Sequence, residues 1–434
     1  MNARDIAVDA ITAFRKRDAW SDGFLRNKIR AAKLDSRDAA LATEIVNGVL
    51  QNLYLINFYI ETFSSVKFSK IAPGILDILQ VAVYQIVYLD RIPDSAAIND
   101  AVNRAKRNNP RAAVFVNAIT RKISSQKNNL PSLQCDDFEK FLSVQYSHPM
   151  WIVKALMNVY GREETEKILS FNNIKHRISA RVNILKTTTE SLLDNNELFE
   201  KGSIENSVYI NFKGSIENTS EFQNGCIYIQ DLASQIAAST LSPCKGASVL
   251  DACAAPGGKS FLMAQLMENT GKIFSCDIYE HKLRLIEDTA ARLGKRNIST
   301  VLRDSSVFFD EWEEAFDFIL ADVPCSGFGI IRKKPDIRYK DETSINQLPE
   351  LQLKILNNVS RYLKRGGTLL YSTCTILPQE NECVVDSFLE QNKDYEEVDE
   401  YFDIPCIKNK YGVTLLPHIS GTDGFYMCKL RRKI

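Results

Sequence analysis

The stretch DACAAPGGKS, residues 251–260, decides how the chain is interpreted, because it connects an apolar run, ASVLD, to a helical pattern, SFLMAQLME. Its small residues allow backbone N–H groups to approach a ligand closely at the N-terminus of a helix. It is not a phosphate-binding loop, because that pattern needs a glycine five residues before Gly258 and position 253 is cysteine. It is not GxGxxG either, so a ligand loop of another kind, or a plain tight turn, is indicated.

From about residue 231 the chain alternates between apolar strands and helical segments. This alternation predicts an α/β domain of the Rossmann-like, doubly wound type, with a parallel sheet. Four of the five predicted strands end in an acid and the fifth ends in a cysteine: Asp251, Asp277, Asp304, Asp322 and Cys374. Because the carboxyl ends of parallel strands share one edge, we expect a ligand to lie across that edge.

The first half of the chain has a different pattern. Residues 1–125 show helical periodicity throughout, including GILDILQVAVYQIVYL at 74–89, whose apolar residues form one broad stripe. A polar stretch at 124–137 predicts a linker, and residues 138–230 predict a small α+β domain that resembles an RNA-recognition fold. The predicted domains are therefore 1–125, 138–230 and 231–434.

Composition restricts the function. Lys+Arg and Asp+Glu both number 54, so any nucleic-acid binding must depend on local basic patches. Asp5 and Asp9 interrupt the N-terminal apolar pattern, and the longest uncharged stretch, residues 45–60, is too short and too polar to span a bilayer. Ten cysteines in a sequence without a secretory signal indicate a reducing compartment, so we expect a cytoplasmic protein that does not bind a membrane. No CxxC pair occurs, which argues against a zinc ribbon or a thioredoxin-like site.

Metal chemistry has no support in the sequence. The four histidines are scattered and none occupies a motif with ligand spacing: His148, His176, His281 and His418. We therefore expect no metal site.

The acids at the predicted strand ends suggest a nucleoside cofactor. Asp277 stands where doubly wound folds place the acid that binds ribose hydroxyls. Asp304 could accept a hydrogen bond from an adenine amino group. Either could instead be an ordinary helix cap.

Three motifs give a specific resemblance: DACAAPGGKS, ADVPCSG at 321–327, and YSTCT followed by PQENE at 371–382. Together they look like the RNA cytosine-C5 methyltransferases, which use S-adenosyl-L-methionine. SHPMW at 147–151, QDLASQ at 230–235 and DGFYMCKL at 423–430 match the same family. Residues 1–125 are similar to the antitermination factor NusB, and this combination resembles the ribosomal RNA small-subunit methyltransferase B group. One position departs from the pattern, since Arg303 replaces the glycine that precedes the acid.

The residues also fit the chemistry of cytosine-C5 methylation. Addition of a thiolate to C6 makes C5 nucleophilic enough to attack a sulfonium methyl group. The resemblance implies that Cys374 is the nucleophile, that Asp322 lies near the ring N3 and that Cys325 assists the final elimination. It also implies a cofactor site formed by Cys253, Ala254, Ala255, Pro256, Gly257, Gly258, Lys259, Asp277, Asp304 and Asp322. On the residues alone, either cysteine could equally be an inert core thiol.

The target base must leave its stack to enter such a site, so we expect RNA contacts nearby. Candidates for binding the flanking phosphates follow the fourth strand: Arg332, Lys333, Lys334, Arg338 and Lys340. A solvated loop is the alternative.

The resemblance implies 16S rRNA, or an early small-subunit particle, as the partner of an enzyme that we expect to be monomeric. The same reaction on tRNA or 23S rRNA is one alternative. A non-catalytic RNA-binding factor is another, although the intact Cys374, Cys325 and Asp322 argue against it.

Overall fold

We describe a computed structural model of the chain for residues 2–16, 21–194, 196–212 and 214–434. The chain forms two compact units, one of residues 1–173 and 334–339, the other of residues 174–333 and 340–434. This division differs from the three predicted domains, because helical residues 138–173 belong to the first unit. It also places six residues from a much later part of the sequence in that unit.

The first unit is helical. Its helices are α1 (Ala3–Arg15), α2 (Ser21–Ala32), α3 (Ser36–Gln51), α4 (Leu53–Phe63), α5 (Pro73–Tyr88), α6 (Asp94–Asn108), α7 (Pro110–Ser125), α8 (Phe138–Gln145) and α9 (Met150–Phe171). Gly161 has non-helical backbone angles and divides α9. Short 3-10 turns lie at Phe68–Lys70, Lys127–Asn129 and Pro335–Tyr339. The predicted linker, residues 124–137, begins inside α7 and includes the turn at Lys127–Asn129, and residues 130–137 lack helix and strand.

Helix α5 is buried along most of its length, as its broad apolar stripe predicts. The stripe includes one acid, Asp77, which is fully buried. Its carboxylate lies 2.9 Å from Arg15 Nε and accepts a 2.8 Å hydrogen bond from Thr12 Oγ1. These partners offset the cost of burying a charge in an apolar core.

Arg338 belongs to the 334–339 segment of the first unit and is fully buried there. Its guanidinium donates to the carbonyl oxygens of Gln51, Ser147 and Tyr146, at 2.9, 3.1 and 3.2 Å, and to Asn173 Oδ1 at 3.2 Å. Burial lowers the pKa of Arg338 to about 10. The sequence-based assignment of Arg338 to an RNA phosphate is therefore corrected, because all of these donors point at protein acceptors.

Replacement of Arg338 by methionine is expected to lower the free energy of unfolding by roughly 2–3 kcal/mol, because buried carbonyl groups lose their donor. Chemical denaturation of the purified protein measures this change. Lys334→Met is the matched control, since Lys334 lies in the same segment but is exposed. Unchanged stability in Arg338→Met, together with weaker RNA binding, would restore the phosphate assignment.

The second unit begins with a small α+β layer. Strands β1 (Ser179–Val182), β2 (Phe199–Lys201), β3 (Ser207–Ile210) and β4 (Ile227–Ile229) form an antiparallel sheet in the order β2-β3-β1-β4. Helices α10 (Thr189–Leu193) and α11 (Ser220–Gln223) and a turn at Ile216–Asn218 connect them. Ala180, Val182, Val208 and Ile227 are fully buried and form the core of this layer.

The larger part of the second unit contains a nine-stranded sheet. Its strands are β5 (Ser248–Asp251), β6 (Lys272–Asp277), β7 (Ile298–Leu302), β8 (Phe316–Asp322), β9 (Leu363–Thr373), β10 (Tyr395–Glu397), β11 (Ile407–Lys408), β12 (Val413–Leu415) and β13 (Phe425–Arg432). Its helices are α12 (Leu232–Leu241), α13 (Gly258–Leu266), α14 (Glu280–Leu293), α15 (Glu342–Ile345), α16 (Leu348–Ser360), α17 (Glu382–Gln391) and α18 (Pro417–Ser420). Further 3-10 turns lie at Asp310–Trp312 and Pro378–Glu380.

The strand order is β11-β12-β13-β9-β8-β5-β6-β7. Strands β5 to β9 are parallel, as predicted, but β13 runs antiparallel to β9, and β10, β11 and β12 are also antiparallel to their partners. The five predicted strands are therefore parallel, and the antiparallel strands β10 to β13, which were not predicted, make the complete sheet mixed. After α17 the chain returns through short strands rather than a crossover helix, and antiparallel pairing needs no crossover.

Strands β5 and β8 are neighbours in the sheet, and the chain adds β6 and β7 on one side of β5 but β8 and β9 on its other side, so the strand order reverses there. In open α/β sheets a ligand site lies outside the carboxyl ends of the strands at such a reversal. The loops that follow β5, β8 and β9 therefore determine the position of the site.

Among the described residues, no single helix has the length and apolar character needed to cross a membrane, although the bent pair α3 and α4 meets that test when the two are combined.

Candidate active site

A cavity of about 280 Å³ lies at the carboxyl ends of β5, β8 and β9. The predicted residues Cys253, Ala254, Ala255, Pro256, Gly258, Lys259, Asp322 and Cys374 line it. It is also lined by Tyr228, Ile229, Gln230, Asp231, Ser234, Asp251, Ile330, Lys333, Asp423 and Phe425. The strand-end residues of β5, β8 and β9 thus meet in one cavity.

The two predicted catalytic thiols are neighbours. Cys374 follows β9 and Cys325 lies three residues after β8, and their Sγ atoms are 3.1 Å apart. The hydrogen bond from Cys325 lowers the pKa of Cys374 in spite of its burial, and the positive charge of Lys259 adds to the effect. The same bond, together with burial, raises the pKa of Cys325 well above its usual value. Cys374 is therefore favoured as the thiolate and Cys325 as the protonated donor.

Asp322 ends β8 and is held between two side chains. Its carboxylate lies 2.7 Å from Lys259 Nζ and accepts a 2.8 Å hydrogen bond from Ser372 Oγ on the neighbouring strand. Burial alone would lower the pKa of Lys259, but Asp322 outweighs it and the pKa is raised. The cavity thus contains a positive charge and a fixed carboxylate next to the cysteine pair.

The loop that carries Cys325 is fixed by a buried acid, Glu380, from the PQENE motif. Glu380 Oε2 accepts hydrogen bonds from the backbone N–H of Ser326 at 2.8 Å and from Gln352 Nε2 at 2.9 Å. Gln352 also donates to the carbonyl of Pro324, at 2.9 Å. The backbone on both sides of Cys325 is therefore tied to one carboxylate.

Two glycines connect the loops after β8 and β9 with the loop before β13. The N–H of Gly329 donates to the carbonyl of Cys374 at 2.9 Å, and the N–H of Gly424 donates to the carbonyl of Gly329 at 2.8 Å. A Cβ at Gly329 would lie 1.9 Å from the carbonyl oxygen of Gly424. Glycine is required there because the backbones approach so closely.

Asp251 is a site residue that the sequence marked only as a strand end. It is buried, lines the cavity and accepts a 2.5 Å hydrogen bond from Ser260 Oγ. Burial raises the pKa of Asp251 to about 7 in spite of that bond.

The chain matches known proteins along its length. The NusB family model matches residues 1–125, the ferredoxin-like domain of RsmF/B-like methyltransferases matches 148–203, and the model described as 16S rRNA methyltransferase RsmB/F matches 238–431. A Bacillus subtilis protein named probable ribosomal RNA small subunit methyltransferase B is 38% identical over 451 residues, covering 100% of this chain and 99% of the relative. The chain belongs to the ribosomal RNA small subunit methyltransferase B family.

Solved structures agree with this membership. The crystal structure of PH0851 is 25% identical with a TM-score of 0.78, covering 100% of this chain and 99% of that chain. A methyltransferase homologue from Pyrococcus horikoshii is 29% identical with a TM-score of 0.61, covering 69% of this chain and 100% of that chain. The predicted fold class is confirmed: a NusB-like helical domain and a ferredoxin-like domain precede a methyltransferase domain, whose sheet is mixed.

Asp277 ends β6 and Asp304 lies two residues after β7, and neither lines the cavity that holds Cys374 in this family member. Asp277 accepts from the N–H of Tyr279 at 3.0 Å and lies 3.5 Å from Lys282 Nζ. Asp304 accepts from the N–H of Ser306 at 2.8 Å. Gly257 does not line the cavity either; it precedes α13 and has a left-handed backbone conformation. The ribose and adenine roles of the two acids therefore stay predictions.

The basic residues after β8 have different surroundings. Lys333 Nζ lies 2.8 Å from Asp231 Oδ2 and 2.5 Å from Asp423 Oδ2, and Arg332 lies 3.5 Å from Asp423 Oδ1. Lys340 Nζ donates to the carbonyl of Ser326 at 2.8 Å. The RNA roles of Arg332, Lys333, Lys334 and Lys340 stay predictions, and Lys334 is the exposed one.

The structure brings one histidine close to two acids, although no histidine lies in a motif with metal-ligand spacing. Ligand atoms of His176, Asp231 and Asp423 lie within 4.8 Å of one another. Because the ammonium of Lys333 contacts both carboxylates, a cation already occupies the position between them.

Several lining residues lie in motifs that the sequence used only for the resemblance. Gln230 and Asp231 begin QDLASQ, and Asp423 and Phe425 begin DGFYMCKL. The motifs could therefore have marked these residues as part of the site, but their position around the cavity is visible only in the structure.

Proposed function

We propose that this chain transfers a methyl group from S-adenosyl-L-methionine to C5 of a cytosine in 16S rRNA, through a covalent bond between Cys374 and C6 of the base. The observation that carries the proposal is the arrangement of Cys374, Cys325 and Asp322 at the strand reversal of a methyltransferase domain. The Sγ atoms of Cys374 and Cys325 lie 3.1 Å from each other, and Cys374 and Asp322 line the same cavity.

In this proposal Cys374 attacks C6, because its lowered pKa increases the thiolate fraction. Attack at C6 increases the electron density of the ring toward N3 and C5. Asp322 is assigned to the N3 edge of the base, and Lys259, 2.7 Å away, offsets the negative charge that develops there. The activated C5 then accepts the methyl group.

Cys325 is assigned to the last step, in which a water molecule takes the C5 proton, the electrons of the C5–H bond form the C5–C6 double bond and the bond between C6 and Cys374 breaks. The sulfur leaves as a thiolate, and a thiol that donates a hydrogen bond stabilises that thiolate. Cys325 stands 3.1 Å from it and has a raised pKa, so it retains the proton that this role needs.

The residues present fit S-adenosyl-L-methionine. Residues 253–258 are small apart from Pro256, and a Cβ at Gly258 would lie 3.0 Å from the ring of Tyr228, so glycine avoids a tight contact at this side of the cavity. Cys253 to Lys259, Asp277, Asp304 and Asp322 would hold the cofactor. When bound, it supplies an electrophilic methyl group on a sulfonium. The two strand-end acids would accept hydrogen bonds from its nucleoside.

The RNA partner is proposed to be 16S rRNA or an early small-subunit particle. The NusB-like domain is proposed to dock it, and Arg332, Lys333, Lys334 and Lys340 are proposed to contact phosphates near the flipped base. The ten cysteines are all unpaired, which supports a cytoplasmic location. We propose that the enzyme acts as a monomer.

The test incubates the purified chain with methyl-labelled S-adenosyl-L-methionine and, separately, with 16S rRNA, 23S rRNA and tRNA transcripts and with small-subunit particles. We expect label in 16S rRNA as 5-methylcytosine, located by bisulfite sequencing. Label confined to tRNA or 23S rRNA would reassign the substrate. RNA binding without transfer to any RNA or small-subunit particle would favour the non-catalytic alternative.

Replacement of Asp277 by alanine is expected to weaken S-adenosyl-L-methionine binding by about 1–3 kcal/mol, since a charged acceptor of the ribose hydroxyls is lost. Isothermal titration calorimetry measures the change directly. Asp288→Ala on the exposed side of α14 is the control and should bind normally. Equal affinity in Asp277→Ala and the wild type would remove Asp277 from the cofactor site.

A further inference from the structure

Arg181 on β1 is a buried cation that donates to two uncharged acceptors. It is 2% exposed, and its Nη1 donates to Gln230 Oε1 at 2.6 Å and to the carbonyl of Gly258 at 3.0 Å. Burial lowers the pKa of Arg181 to about 9, which still leaves it charged at neutral pH. Because both acceptors are neutral, these contacts leave its charge uncompensated, and an anion nearby would be stabilised.

The guanidinium also fixes the side-chain amide of Gln230. A guanidinium can only donate, so the amide oxygen must face Arg181 and Nε2 must point away from it. Gln230 is 7% exposed and lines the cavity, and within the described residues its Nε2 has no hydrogen-bond partner. An unpaired buried donor is costly, so an acceptor from a ligand is expected at this point.

The amide of Gln230 is next to the start of α13. A Cβ at Gly258, the first residue of that helix, would lie 3.2 Å from Gln230 Nε2. The first N–H groups of a helix have no acceptor within it, and its N-terminus carries a partial positive charge. Three features that favour an anion therefore lie together: the helix N-terminus, the free amide donor and the buried guanidinium.

We propose that Gln230, oriented by Arg181, binds the carboxylate of the amino-acid part of S-adenosyl-L-methionine. The assignment rests on the proposed function and adds a binding residue outside the loop at 253–259. An RNA phosphate is bonded to a nucleotide on each side, so a site for it must be an open groove. A terminal carboxylate can enter a buried position such as that of Gln230.

The test uses calorimetry of the full chain with two ligands, S-adenosyl-L-methionine and its decarboxylated analogue. In Gln230→Met we expect affinity for S-adenosyl-L-methionine to fall about tenfold, as for loss of one hydrogen bond to a charged group, with the analogue unaffected. Gln230→Glu keeps an oxygen for Arg181 but presents a second one to the ligand. It should therefore discriminate more strongly against the carboxylate and preserve the fold.

Gln265→Met is the control, because Gln265 is a buried glutamine of α13 whose amide bonds the carbonyl of Val182. It should leave the preference between the two ligands unchanged. Equal losses for both ligands in the Gln230 variants would overturn the assignment. So would normal S-adenosyl-L-methionine binding with a raised KM for RNA. If the wild type binds the analogue but not S-adenosyl-L-methionine, the assignment of Gln230 to the carboxylate is overturned. If the wild type binds neither ligand, the proposed function is overturned as well.

Discussion

Cys374→Ala is expected to eliminate methyl transfer and any covalent bond to RNA. The thiolate that attacks C6 would be absent. The hydrogen bond from Cys374 that raises the pKa of Cys325 is lost in this variant, but burial and the nearby acids Glu380 and Asp322 still raise it, so Cys325 is not expected to replace the thiolate. Removal of a covalent nucleophile typically costs several orders of magnitude in rate. Methyl transfer from labelled S-adenosyl-L-methionine and denaturing electrophoresis of protein with RNA measure the two losses.

The control for Cys374→Ala is Cys428→Ala, which removes a fully buried thiol from β13. This control should lower stability by about 1 kcal/mol through a small cavity and should keep its activity. An RNA adduct that persists in Cys374→Ala would show that another residue attacks the base.

Cys325→Ala is expected to have the opposite effect on the adduct. Without the hydrogen bond across 3.1 Å, the Cys374 sulfur becomes a poorer leaving group, so the bond to C6 should form and then persist. A band of protein joined to RNA should therefore accumulate on a denaturing gel, with at most one methyl group transferred per enzyme molecule.

The double variant Cys325→Ala with Cys374→Ala gives the decisive comparison. It should form no adduct if Cys374 provides the bond in the single variant. Sustained turnover in Cys325→Ala without an accumulating adduct would remove Cys325 from the elimination step.

The sequence predicted the parallel strands and the ligand loop because these depend on local patterns. An apolar strand that ends in an acid and a small-residue turn before a helix are visible without tertiary contacts. The cysteine roles were predicted from the resemblance, and the structure brings both sulfur atoms together. Their chemical roles stay predictions.

The errors and omissions concern residues whose state depends on distant partners. Arg338 lies in a run of basic residues typical of a solvated loop, yet its acceptors are far away in the sequence. The antiparallel strand β13 was not predicted, because the motif DGFYMCKL at its start was used only for the resemblance. Gln230 and Asp251 acquire their properties from burial, which their immediate neighbours do not reveal.

The inclusion of residues 334–339 in the helical unit has a consequence for biosynthesis. A ribosome finishes residues 1–173 well before it makes Arg338, so the nascent helices emerge while the carbonyls of Gln51 and Ser147 still lack that donor. The packing around Gln51 and Ser147 is therefore expected to be completed only after most of the sheet has been translated. Domains made in sequence usually fold in sequence, whereas here the first to emerge is among the last to be completed.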